Sequence, residues 1–133
     1  MPIPVSFTDE DLKRGELIEP GWYTVTIETV EEALSKNGQS TNYVLKGKIV
    51  RNGDNGDQKY AGYPIPYWNF NSKAPGLMQG YFKALLNTDK LETGVRYDLA
   101  AGIGKQIDVM IENKEYEGVM RNGVKHQYRA PRS

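Results

Sequence analysis

The sequence predicts a mainly β domain, a partly open barrel of five strands with one helix between the third and fourth. Three observations predict it. Tyr23, Val25 and Ile27 alternate with Thr24, Thr26 and Glu28, and Ile107, Val109 and Ile111 repeat the two-residue period. Only Leu77 to Leu85 spaces its apolar residues at helical intervals. Clusters of glycine, asparagine and proline cut the rest into pieces of strand length.

The elements follow in chain order. Residues 1–19 read as a short cap. Thr8 before Asp9, Glu10 and Asp11 suits the positive end of a helix turn, and Gly15 and Pro20 limit its length. The first strand spans Trp22 to Val30, and a turn falls in Ser35–Ser40. The second runs from Thr41 to Arg51, with Tyr43, Leu45 and Ile49 on one face and Lys46 and Lys48 on the other. Asn52–Lys59 (NGDNGDQK) is a loop. Its acids lack the spacing and the distal glutamate of a calcium loop.

Tyr60 to Lys73 (YAGYPIPYWNFNSK) reads as strand three. Pro64 and Pro66 cannot donate to a ladder, so this strand belongs at an edge. Its aromatics fall on both phases. Tyr63, Ile65 and Tyr67 share one face, Trp68 and Phe70 the other, and a strand with one core face leaves one set exposed. Pro75 then opens the helix, with Leu77, Met78, Tyr81, Phe82, Ala84 and Leu85 as its stripe. Leu91–Lys105 is an irregular connection. Its Gly102-Ile-Gly-Lys105 is no phosphate loop, because Gln106 follows the lysine and the first glycine of the pattern is missing. The fourth strand covers Gln106–Asn113, Lys114–Gly118 forms a tip, and the fifth covers Val119–Arg129.

Composition narrows the function. At 133 residues the chain holds one packed core and not two. No apolar run has membrane-span length, and the N-terminus lacks the features of a signal peptide. The absence of cysteine excludes disulfides and thiolate chemistry and suits a reducing cytoplasm. The net charge is zero but unevenly spread. Residues 1–35 hold eight acids against Lys13 and Arg14, while Arg121, Lys125, Arg129 and Arg132 near the other end face no acid. A neutral total therefore conceals a basic face of the kind that meets a polyanion.

No catalytic constellation stands out. His126 is the one histidine and shares the phase of apolar neighbours. With no cysteine beside it, zinc is not expected, and no serine sits in a nucleophile elbow. The expectation is a binding protein without cofactor or metal. Strand, strand, strand, helix, strand, strand is the layout of the OB-fold, whose ligand crosses strands two and three. There Lys46 and Lys48 stand beside Tyr60, Trp68 and Phe70, with Tyr116 at the tip and Arg121, Lys125 and Arg129 on one phase of strand five. Tyr67 shares the phase of Ile65, which leaves it between core and contact. Aromatics among basic residues stack bases and hold phosphates with little sequence preference. A protein-interaction or inhibitor module, or a carbohydrate binder, would use the same aromatic surface.

The chain resembles phage-encoded single-stranded DNA-binding proteins of the OB-fold type. The resemblance rests on Pro20-Gly-Trp-Tyr-Thr-Val-Thr-Ile27, on Leu77-Met-Gln-Gly-Tyr-Phe-Lys-Ala-Leu-Leu86, and on Gly104-Lys-Gln-Ile-Asp-Val-Met-Ile111 leading to Glu115-Tyr-Glu-Gly118. It spans about Phe7 to Tyr128. It implies single-stranded DNA binding in phage replication or recombination within the bacterial cytoplasm, with replication or recombination proteins and further copies of the chain as partners. One departure stands out. Many such proteins end in an acidic tail, whereas this sequence ends Arg129-Ala-Pro-Arg-Ser133.

Overall fold

The acidic cap folds because it can satisfy its own helix end. In a computed structural model, which describes residues 2–36 and 38–131 and leaves out the side chains of Glu10 and Arg14, helix α1 spans Asp9–Gly15. Asn37 of the expected turn and Arg132 of the basic end lie outside the described residues. Thr8 and Asp11 form a reciprocal capping box, with the Asp11 N–H on Thr8 Oγ1 at 3.1 Å and the Thr8 N–H on Asp11 Oδ2 at 3.0 Å.

Strand β1 (Gly21–Leu34) buries Tyr23, Val25 and Ile27, as the alternation requires. It runs past the expected Val30, so its distal half forms a long hairpin with β2 (Thr41–Asn52). Leu45, Gly47 and Ile49 of β2 face inward while Lys46 is exposed, the expected phase. Two bulges bend this pair: Glu28 is the extra residue on β1 and Val50 on β2. Strand β4 (Gln106–Tyr116) buries Ile107, Val109 and Ile111, and β5 spans Val119–Arg129. Glu117 and Gly118 join them, both at positive φ (52° and 79°), which matches the twist of a two-residue hairpin.

The third strand differs most from expectation. Only Asn69–Asn71 (β3) is regular strand. The prolines break the ladder, yet the chain still follows β2 through separate bonds. Gly62 N–H donates to Ile49 O at 2.8 Å, Ile49 N–H to Tyr63 O at 2.8 Å, Ile65 N–H to Gly47 O at 3.0 Å, and Leu45 N–H to Trp68 O at 2.9 Å. Between the last two bonds, the three steps from Ile65 to Trp68 span only two on β2. This extra residue at Pro66–Tyr67 switches the phase, so Ile65, Trp68 and Phe70 all point inward.

The five strands form one antiparallel sheet of order β3-β2-β1-β4-β5, and among the described residues no ladder joins β3 to β5. Side chains fill that seam instead. Trp68 and Phe70 meet Tyr128 of β5 at ring separations of 5.7 and 6.0 Å. Helix α2 (Gly76–Leu86) closes over them, with the buried Tyr81 at 5.8 Å from Trp68 and 5.6 Å from Phe70. Among the described residues no helix is long and apolar enough to cross a membrane.

Candidate nucleic-acid interface

The phase switch decides which aromatics are available. Trp68 and Phe70 are each 1% exposed and Tyr60 is also buried. The sequence expected all three on the ligand face, and the structure corrects this: they are core. The Trp68 indole N–H donates to the Tyr128 hydroxyl at 2.9 Å, so its one polar atom is satisfied inside. Tyr60 packs edge-on against Tyr23 and Tyr63, and its hydroxyl accepts from the Glu19 N–H. Burial, with help from Tyr60 and Glu19, pushes the Tyr23 phenol up to about 12.

Tyr67 is the residue the bulge turns outward, and it is 68% exposed. It lines an open groove of about 440 Å³ with Lys13, Pro64, Pro66, Met120 and Arg121. Three separate pieces of chain build this groove: the end of α1 with the segment after it, the proline-broken approach to β3, and the start of β5. Asn122 ties the first piece down. Its Nδ2 donates to Glu16 O at 2.7 Å and its Oδ1 accepts from the Ile18 N–H at 2.9 Å. On the other side the Tyr63 hydroxyl donates to the Glu16 carboxylate, which raises the Tyr63 phenol, and Lys13 lies 5.4 Å from the Tyr63 ring centre.

The cations fall into two sets. Arg121 is exposed, its guanidinium 5.8 Å from the ring of the exposed Tyr116. Lys46 lies on the outward face of β2 and pairs with Glu31 at 3.0 Å with both side chains half exposed, a pair weak enough to exchange partners. Lys48 is part-buried beside Pro64, to which β2 bridges. Lys125 is exposed on β5, where two extra residues bulge between the pairs Val109–Tyr128 and Ile111–Val124.

Arg129 belongs to a different structure. Its Nε meets the fully buried Asp108 Oδ2 at 2.9 Å, its Nη2 meets Asp54 Oδ1 at 2.8 Å and Gly53 O at 3.1 Å, and Trp22 stacks on it at 4.3 Å. Thr24 Oγ1 donates to Asp108 at 2.6 Å. The expected phosphate ligand thus neutralises a buried carboxylate, with its Nε and Nη2 donors already committed.

Sequence reasoning also missed contributors. Lys13 and Met120 reach the groove only through folding. Asn42, Asn69 and Asn71 form an amide cluster on the outward face of β2 and β3, where Asn42 Oδ1 accepts from Asn69 Nδ2 at 3.0 Å and Asn71 Nδ2 at 2.8 Å. The alternation of Asn69 and Asn71 around Phe70 was the available signal. His126 is half-buried, with Nδ1 2.8 Å from the Tyr128 hydroxyl and its ring 5.4 Å from Phe70. Burial first, and Lys114 second, hold its pKa below the ordinary value. No group of three or more His, Asp or Glu among the described residues could hold a metal ion. The chain matches no protein-family model and no curated protein.

Proposed function

We propose that this protein is an OB-fold single-stranded DNA-binding protein of phage replication or recombination, acting in the cytoplasm of the bacterial host. The strand order β3-β2-β1-β4-β5, with a helix before β4 and an unladdered β3–β5 seam, supports the fold. The observation that carries the function is the groove whose lining joins the exposed Tyr67 to Lys13 and Arg121. An exposed aromatic ring stacks a base of any identity, and cations in the same groove hold the neighbouring phosphates. Tyr116 lies against Arg121 and Lys48 pairs with Pro64 of the groove, while Lys46 and Lys125 stand outside its lining.

Titration of labelled oligo(dT) by anisotropy tests the reading. Binding should weaken with salt, and Tyr67→Ala should weaken it by about 1–3 kcal/mol with the melting temperature unchanged. Arg121→Ala should reduce the slope of log K against log salt by about 0.7, the loss of one phosphate contact. No binding at low salt by the folded protein refutes the proposal. Salt-independent binding would point to a sugar or an apolar protein partner.

A further inference from the structure

The N-terminal arm, residues 2–8, is apolar where it should not be. Ile3, Val5 and Phe7 are 85%, 71% and 67% exposed. In extended form these three side chains share one face, and their backbone N–H and C=O groups share one edge. Pro2 and Pro4 remove donors from the opposite edge. Such a strand can add to a sheet through one edge without offering a second one for further growth.

The same chain carries an edge to receive it. β4 pairs with β1 only along Gly21–Thr26, and Ile27 bonds to Gly104 and Lys105. Beyond that point no strand among the described residues pairs with this side of β1, although β1 continues to Leu34. Beside this free edge lies a second groove, of about 660 Å³. Val30, Tyr43, Met78, Phe82, Tyr97 and Leu99 give it an apolar floor drawn from β1, β2, α2 and the connection before β4. The arm is not in it, since none of residues 2–8 lines it, and α1 leads from the arm to Ile18 at the other groove.

We infer that the arm of a second copy of this chain adds to the free edge of distal β1 and places Ile3, Val5 and Phe7 in this groove. One chain supplies both the inserted strand and the receiving edge, so the contact is self-complementary and needs no foreign partner. The uncharged arm brings no like charge against Glu32 or Asp98 at the rim. This assembly is independent of nucleic acid.

The absence of native cysteine makes the test clean. Full-length Val5→Cys and Glu32→Cys proteins, purified apart and mixed, should oxidise to a disulfide-linked heterodimer, because Glu32 lies on distal β1 and lines the groove. Lys36→Cys, exposed outside the groove, should link to Val5→Cys much more slowly. Sedimentation equilibrium of the unmodified protein should show self-association, and Phe7→Asp should weaken it about tenfold or more with unchanged thermal stability. A strictly monomeric protein overturns the inference. So does a Val5→Cys/Glu32→Cys double variant that closes its disulfide within one chain, because the arm would then dock on its own groove.

Discussion

Replacing Trp68 by alanine separates a core role from a contact role. The indole lies between Phe70, Tyr81 and Tyr128, at ring separations of 5.7–6.1 Å, and is 1% exposed. Truncating such a side chain costs about 3–5 kcal/mol in lost burial and residual cavity. The Tyr128 hydroxyl also loses its indole donor but keeps His126 Nδ1 at 2.8 Å, so the total falls at the upper end of that range rather than beyond it. Against a usual domain stability of about 5–15 kcal/mol this is a third or more. With a urea slope of about 2 kcal/mol/M, the midpoint should fall by about 2.5 M. Urea denaturation followed by circular dichroism reads this directly, with Trp68→Phe as the partner variant that keeps most of the volume and loses the N–H. A Trp68→Ala protein that unfolds with the wild type yet no longer binds oligo(dT) would refute the burial argument and return Trp68 to the ligand face.

Three further outcomes follow from the same geometry. Arg129→Met should destabilise the fold by about 3–5 kcal/mol in urea, because Asp108 is fully buried and retains only the Thr24 hydroxyl. Gly47→Ala should destabilise strongly, since its Cβ would sit 1.9 Å from the Thr26 carbonyl oxygen and both groups belong to a paired ladder; wild-type melting would contradict the close approach. His126 sets an acid limit. Its folded pKa lies below the ordinary 6.5, so the unfolded chain binds the proton more readily. Its stabilising contribution is present above that value and is lost as pH falls below it. Thermal melts between pH 7 and 5 should show a shallower decline for His126→Gln than for the wild type.

The expectations that held depend on short-range pattern. The inward residues of β1 and β4, the outward Lys46, the helix after Pro75 and the span of β5 all follow from a period of two or 3.6 within one segment. The aromatic segment failed because its period is interrupted. One extra residue at Pro66–Tyr67, set by where β2 accepts bonds from Ile65 and gives one to Trp68, reverses the phase halfway along. That pairing is a property of two strands, and the segment's own sequence does not contain it.

By itself, then, the sequence determined a mainly β domain, the succession of its strands along the chain, and one core helix between the third and fourth. Only the tertiary structure decided which aromatics are core and which cations are free. Trp68 and Phe70 were drawn inward because the unladdered seam between β3 and β5 had to be filled by large side chains. Arg129 was drawn to Asp108 because a buried carboxylate needs a partner. Both demands arise only once distant strands meet, and what they left at the surface is Tyr67 beside Lys13 and Arg121.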